Sequence, residues 1–293
     1  MRRRIVAVIA LAALAGLSPQ PTPQVAAPAI AAAAAAPVVA ENALPGTSRW
    51  NYARATEPAI EGYAPPSVAP GDDLALHVST RPAANYRVEI YRLGWYGGTG
   101  ARLIACVPSC TTTERGNPEQ VPTPDPTTGK IDADWPVTDQ ITVGTDWTSG
   151  YYIAQLVLTD GRPPLAATVP FIVREPSTQR SAILVVAPVD TWQAYNGWGG
   201  KSLYPYNSTD GVEAKVVSFD RPYAPASGPW SLLSHEVPVV HFLEREGYDV
   251  SYATDVDIDA DPAELLRHRL VIVAGHSEYW SGAMRTAFDT ARD

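Results

Sequence analysis

The sequence predicts a two-domain protein, with an antiparallel β-sandwich of the immunoglobulin-like type followed by a parallel α/β domain. Between Tyr63 and Arg174, hydrophobic and polar residues alternate in short runs, as in antiparallel strands with one polar face. After Pro176 the apolar runs are continuous, as in Ser181–Ala187, which is typical of parallel strands covered on both faces. With 293 residues, 45% of them hydrophobic, the chain can build two such cores.

The N-terminus has the order of a secretory signal peptide. Three arginines precede the uncharged apolar run Ile5–Leu17, and alanine-rich candidate cleavage sites follow. The run is shorter than the roughly 20 residues of a membrane span. We therefore predict a signal peptide over 1–36, a Pro/Ala-rich disordered linker over 37–57, and a secreted mature chain without a membrane span. An uncleaved N-terminal anchor is the alternative.

The two cysteines of the chain, Cys106 and Cys110, are close in sequence. In the oxidising environment that export implies, this spacing predicts a small disulfide loop. A zinc site is less favoured, because two sulfur ligands do not complete one.

The sandwich is expected over 58–175. Turn signals such as Pro70-Gly71-Asp72 separate the alternating runs. Strands are predicted at 74–78, 86–90, 152–158 and 169–173. Between two of them, Arg92–Gly98 is rich in aromatic residues and glycine. Its Trp95 is expected to pack against the neighbouring domain, and a carbohydrate-stacking loop is the alternative.

The α/β domain is expected over 181–293. Its predicted strands are Ser181–Ala187, Val212–Phe219, Tyr248–Ala253 and Leu270–Ala274. Its predicted helices are Glu236–Glu246, which Gly247 ends, Asp261–His268, and a last helix from Ser281 onward. Apolar strands alternating with helices indicate a parallel sheet.

Two polar and aromatic segments follow strands of that sheet, 188–200 and 275–280. Because open parallel sheets bind ligands beyond the carboxyl ends of their strands, both segments are candidate site loops. The second contains His276, Ser277 and Glu278, and three interpretations remain open. Ser277 is a candidate nucleophile, although the glycine expected two residues later is a tyrosine. His276 and Glu278 are candidate metal ligands, which with tyrosine oxygens would favour a hard metal such as iron(III). Alternatively, the two side chains only satisfy backbone groups at a helix N-terminus.

Five segments together resemble the family related to the large (β) subunit of N,N-dimethylformamidase, and the resemblance covers about residues 60–293. The segments are Arg87–Gly100, Thr191–Gly200, Ser218–Tyr223, Phe242–Val256 and Gly275–Ser281. The resemblance implies a sandwich beside a domain similar to class I glutamine amidotransferases. It also implies amide hydrolysis at a mononuclear iron (Fe3+) that is held by tyrosine phenolates and a glutamate, with a histidine nearby.

Carried over residue by residue, the resemblance makes Glu278 and Tyr195 metal ligands and His276 the catalytic histidine. It leaves the second tyrosine open among Tyr204, Tyr206 and Tyr223. The family continues beyond Asp293, so we expect the α/β domain to be partial and the chain to be an inactive fragment.

The predicted function is that of a secreted amidohydrolase acting on a small or substituted amide. A non-catalytic protein that binds glycan or cell wall through the aromatic cluster Trp192–Tyr206 is the alternative. The formal charge of −9 argues against a nucleic-acid partner, because phosphate binding needs clustered Lys and Arg. The sequence leaves open a homo-oligomer or a small-subunit partner.

Overall fold

The structure, a computed structural model, describes residues 5–8, 36–54, 59–161, 164–224 and 232–293. The strands are β1 Ile5–Val8, β2 Ala53–Arg54, β3 Ile60–Tyr63, β4 Ser67–Val68, β5 Asp73–Thr80, β6 Asn85–Leu93, β7 Ala101–Val107, β8 Glu114–Arg115, β9 Asp139–Thr142, β10 Gly150–Leu158, β11 Leu165–Val173, β12 Ile183–Ala187, β13 Val250–Thr254 and β14 Leu270–Val273. The α-helices are α1 Pro37–Asn42, α2 Val189–Tyr195, α3 Val237–Arg245, α4 Asp255–Ala260 and α5 Gly282–Arg292.

These strands form three sheets. The chain is a sheet-rich α/β protein, and the sequence predicts this general fold class. The first part of the chain builds a seven-stranded sheet around β11-β10-β6-β7 and a three-stranded sheet in the order β3-β5-β9. In the larger sheet β2 and β4 run parallel to β11, while the β11-β10-β6-β7 pairings are antiparallel. The second part builds an all-parallel sheet in the order β1-β14-β12-β13.

The seven-stranded sheet is buried on both faces. On β10, Tyr152, Ala154 and Leu156 pack in a core shared with the three-stranded sheet. Their neighbours Tyr151 and Ile153 point the other way, into a core shared with the parallel sheet and α3. Because successive side chains on a strand point to opposite faces, β10 is apolar almost throughout rather than alternating. The sheet therefore forms the middle layer of the molecule.

The parallel sheet is also covered on both faces. Leu184 and Val186 of β12 pack with Ala287 and Phe288 of α5, while Val185 faces the core shared with the seven-stranded sheet. Burial on both faces explains the continuous apolar sequence of β12.

One predicted element is missing from the structure, and one observed helix was not predicted. The segment Val212–Phe219 contains no strand, and the Asp255–Ala260 helix was not predicted. In the 212–219 segment Val212 and Val216 are exposed, so its apolar residues mark no buried strand. The α4 helix begins with a capping box between Thr254 and Asp257, a signal that lies directly at the end of β13.

The disordered linker predicted over 37–57 is wrong where α1 lies. Val38 of α1 is buried, and the Glu41 carboxylate accepts hydrogen bonds from Tyr96 and Arg102 at 2.6 Å each. The composition suggests disorder, but these contacts fix the segment against the first part of the chain.

The predicted signal peptide lies mostly outside the described residues. The exceptions are Ala36 and β1, which pairs in parallel with β14 at one edge of the parallel sheet. None of the helices in the described part of the chain has the length and apolar character that crossing a membrane requires.

A buried ion pair joins the two parts of the chain. Arg92 on β6 contacts Glu244 on α3 in bidentate fashion, at 2.8 and 3.1 Å, and both side chains are fully buried. Glu244 also accepts hydrogen bonds from Tyr252 and Asn42. Beside it, Trp95 lies edge-on to His241 of α3 at 6.2 Å between ring centroids, which confirms that this tryptophan packs between the two parts.

The predicted disulfide is confirmed. Cys106 and Cys110 are bonded, with 5.0 Å between their Cα atoms. Cys106 lies on β7, at one end of the central run of strands in the seven-stranded sheet.

Candidate active site

Two tyrosine hydroxyls converge on one carboxylate. Tyr195 donates a hydrogen bond to Oε2 of Glu278 at 2.7 Å, and Tyr204 donates to Oε1 at 2.8 Å. The two phenol rings stack with 4.3 Å between their centroids. His276 places Nε2 at 3.1 Å from Oε2 of Glu278. The structure thus brings together all three residues that the sequence analysis assigned to the site, together with Tyr204, one of the candidates for the second tyrosine.

Sheet topology accounts for this convergence. Tyr195 is the last residue of α2, which follows β12, and Glu278 lies in the loop that follows β14. Because β12 and β14 are paired neighbours in the parallel sheet, the segments after them leave from the same edge. The site therefore lies at the carboxyl ends of the strands.

Gly275 starts the loop that carries Glu278, and its backbone requires glycine. Its φ angle is +74°, in the left-handed region that other residues rarely adopt. A Cβ atom there would lie 2.6 Å from Oε1 of the buried Glu236. The turn can therefore pass close over Glu236 before the chain reaches His276.

Hydrogen bonding shifts the acid–base properties of the site. The hydrogen bond from Tyr195 is the main cause that lowers the pKa of the Glu278 carboxyl, and Tyr204 and His276 lower it further. Partial burial raises the pKa of the Tyr204 hydroxyl, and hydrogen bonds to Tyr195, Tyr279 and Glu278 raise it further. Without a cation, the arrangement favours an anionic glutamate between neutral phenols.

The other tyrosines take different positions. Tyr279 donates its hydroxyl to that of Tyr204 at 2.9 Å, so it is a third phenol of the cluster. Tyr206 packs its ring 5.5 Å from that of Tyr204 and is 72% exposed. Tyr223 is partly buried, near Arg221 and Gln193. Of the three candidates for the second tyrosine, Tyr204 is the one that contacts Glu278.

Buried polar groups hold the loop between Tyr195 and Tyr204 in place. Arg221 is 1% exposed and donates to the carbonyl oxygens of Gln193, Asn196 and Lys201 at 2.8–3.1 Å. Asn207 donates to the carbonyl oxygen of Tyr195 at 2.7 Å. Apart from that of Lys201, these carbonyl groups lie at the end of α2, where carbonyl groups lack helical partners.

The other interpretations of the Gly275–Glu278 segment find less support. The hydroxyl of Ser277 accepts a hydrogen bond from the indole N–H of Trp280 at 2.7 Å, whereas a serine nucleophile needs a base at that position. The N-terminus of α5 is capped by Ser281, whose hydroxyl accepts from Met284. Glu278 instead directs its carboxylate at the phenols.

The donor set is compatible with a hard metal ion. Within the described residues, no group of three or more His, Cys, Asp or Glu side chains could hold a metal. An ion at this site would therefore need the phenol oxygens of Tyr195 and Tyr204 beside the Glu278 carboxylate. Anionic oxygen donors of this kind suit a hard cation such as iron(III).

Comparisons with solved structures carry little weight for this chain. A marsupial T cell receptor is 16% identical, with a TM-score of 0.22, and the match covers 42% of this chain and 55% of the receptor chain. A β-glucosidase from Erythrobacter marinus is 12% identical, with a TM-score of 0.19, and the match covers 39% of this chain and 15% of the glucosidase. No curated protein sequence matches the chain.

A family match covers most of the chain and includes the whole site. Residues 87–293 match the family described as N,N-dimethylformamidase beta subunit-like, C-terminal. The matched range contains β6 with Arg92, the segment after β12 with Tyr195 and Tyr204, and the loop with His276 and Glu278. The chain therefore belongs to the N,N-dimethylformamidase beta subunit-like family.

Proposed function

We propose that the chain is an exported amidohydrolase whose active centre is an iron(III) ion held by Tyr195, Tyr204 and Glu278. The observation that carries the proposal is the placement of both phenol oxygens within 2.8 Å of one solvent-exposed carboxylate. Each phenol proton that now bridges to Glu278 would be displaced by the cation. The family membership supports the amide-hydrolysing chemistry.

When bound, iron(III) supplies Lewis acidity, which favours phenolate over phenol and polarises an amide carbonyl. In this proposal His276 is the proton-transfer residue. Its Nε2 lies beside Glu278 and its side chain is 54% exposed, so it can reach both substrate and solvent. It would take the proton of the attacking water and return it to the leaving amine, so that an amide and water give a carboxylic acid and an amine.

We also propose a more specific fold for each part of the chain. The three-stranded and seven-stranded sheets share one core, which supports an immunoglobulin-like sandwich over about 58–175. A parallel sheet with its polar site at the carboxyl ends of the strands supports an amidotransferase-like domain over 181–293. The basic and apolar N-terminal sequence and the Cys106–Cys110 disulfide support secretion.

The test compares iron-loaded wild-type protein with its His276→Ala variant on a panel of small dialkyl and N-substituted amides. The wild type should release amine. His276→Ala should retain iron and lose about 10²–10⁴-fold in turnover, the usual contribution of a positioned general base. An iron-loaded wild type that releases no amine from any amide would reject hydrolase activity in this chain and would match the inactive fragment expected from the sequence.

One observation favours the glycan-binding alternative. Tyr206 presents a largely exposed ring that packs at a tilt against Tyr204, and proteins commonly bind sugar faces through exposed aromatic rings. A pull-down on insoluble polysaccharide separates the two functions. Retention that is lost in Tyr206→Ala and indifferent to iron would support the binding protein.

A further inference from the structure

Thr191 contacts the site from within the protein. It lies on α2, one helical turn before Tyr195, and it is 3% exposed. Its Oγ1 accepts hydrogen bonds from the backbone N–H of Glu278 at 2.9 Å and of Tyr279 at 3.2 Å. One buried hydroxyl oxygen therefore holds two successive amides of the loop that carries the site carboxylate.

The positions of Thr191 and Tyr195 make this contact specific to the site. Residues four apart on a helix lie on the same face. The α2 helix therefore presents the Tyr195 phenol to the Glu278 side chain and the Thr191 hydroxyl to the Glu278 backbone. The two contacts, one helical turn apart on the same face of α2, fix the distance between the helix and the loop.

The loop depends on this support because it has no regular structure of its own. Residues 274–281, between β14 and α5, form neither helix nor strand. Backbone N–H groups that are shielded from solvent need a hydrogen-bond acceptor. For the amides of Glu278 and Tyr279 this acceptor is Oγ1 of Thr191. Tyr279 also bears the hydroxyl that donates to Tyr204, so both residues anchored by Thr191 belong to the cluster.

We propose that Thr191 is the positioning residue that sets the Glu278 carboxylate against Tyr195 and Tyr204. The expected effect on iron affinity rests on the proposed function, whereas the positioning of the loop by Thr191 does not. Groups that orient metal ligands without touching the metal typically contribute 10–100-fold in affinity. A loop released from Thr191 would lose that preorganisation and keep the ligands themselves.

The experiment compares Thr191→Val, which keeps the shape and removes the acceptor, with Thr191→Ser, which keeps the acceptor. Two measurements are made on each. The first is hydrogen exchange in metal-free protein, resolved to single amides by NMR. The second is the affinity for added iron(III), supplied as a soluble chelate. Thermal unfolding checks that each variant is folded, and Thr191→Ala replaces the valine variant if that variant is not.

We expect the amides of Glu278 and Tyr279 to exchange faster in Thr191→Val and near the wild-type rate in Thr191→Ser. Iron affinity should fall about 10–100-fold in Thr191→Val alone. Equal exchange rates in the two variants, at both amides, would overturn the proposal whatever the iron affinities are. Altered exchange in a protein whose wild type binds no iron would support the positioning role and reject the proposed metal centre.

Discussion

Tyr204 donates its hydroxyl to Oε1 of Glu278 at 2.8 Å, although 74 residues separate the two in sequence. The other carboxylate oxygen accepts from Tyr195. A glutamate held between two phenols has no evident structural purpose at an exposed position, since exposed polar side chains are well solvated without such partners. The arrangement is explained if the two phenol oxygens and the Glu278 carboxylate bind one cation together.

Tyr204 should matter for metal binding and Tyr206 should not. Tyr204→Phe removes one phenol oxygen from the proposed iron site, so iron affinity should fall and the phenolate-to-iron absorption should weaken. Tyr206→Phe is the matched control, because this exposed ring packs against the ring of Tyr204. Equal iron affinity in the two variants, measured by competition with a chelator, would exclude Tyr204 as a ligand.

The Arg92–Glu244 pair should dominate the stability of the contact between the two parts. Glu244→Gln leaves a fully buried guanidinium without its counter-charge, and breaking a buried pair in this way typically costs about 3–5 kcal/mol. The control is Glu246→Gln, which removes the exposed partner of Arg245 and should cost about 1 kcal/mol or less. Denaturant unfolding measures both, and similar losses would contradict the assignment.

Asp190 should make the protein less stable as pH rises. Burial and the nearby charge of Asp259 raise the pKa of Asp190 to about 6, and the buried Asp255 carboxylate faces its backbone. A carboxyl with a raised folded-state pKa binds its proton more tightly when folded. Its ionisation therefore lowers stability between about pH 4 and pH 6.

Asp190→Asn should accordingly raise the free energy of unfolding above pH 6, by about 1 kcal/mol after allowance for solvent screening. The gain should vanish below about pH 4, where the wild-type carboxyl is neutral. Thermal unfolding at several pH values measures this gain, with Asp210→Asn at an exposed position as the control. A gain that is independent of pH would point to packing rather than charge.

The disulfide should be a local support with no influence on the site. Cys106 and Cys110 close a loop of five residues, for which chain entropy predicts about 2 kcal/mol. The double Cys→Ser variant should lose about that much stability and keep its iron affinity. Loss of iron binding in a folded double variant would show a coupling that the structure does not explain.

Much of the α/β part could be predicted because its signals are local. The apolar run of β12, Gly247 after α3 and Ser281 before α5 each mark an element that the structure confirms. The sequence does not reveal α4, because this helix follows β13 directly. Its capping signal, Thr254 to Asp257, therefore lies in a segment that reads as a loop.

The site was predictable only in part, for a related reason. Strand order places Tyr195 near Glu278, because the two segments follow neighbouring strands. Tyr204 lies in a loop whose path is set by contacts distant in sequence, such as those of Arg221, and no spacing rule reveals them. Thr191 was inside a recognised motif, but its role depends on two backbone amides 87 and 88 residues away.

The most direct test of the proposed iron centre is a titration of purified protein with iron(III), followed by visible absorption. The proposed centre predicts a phenolate-to-iron charge-transfer band that saturates at one iron per chain. The band should disappear in Glu278→Gln and in Tyr195→Phe, both of which should still be folded. A wild-type protein that stays colourless at saturating iron, or a band that persists unchanged in Glu278→Gln, would contradict it.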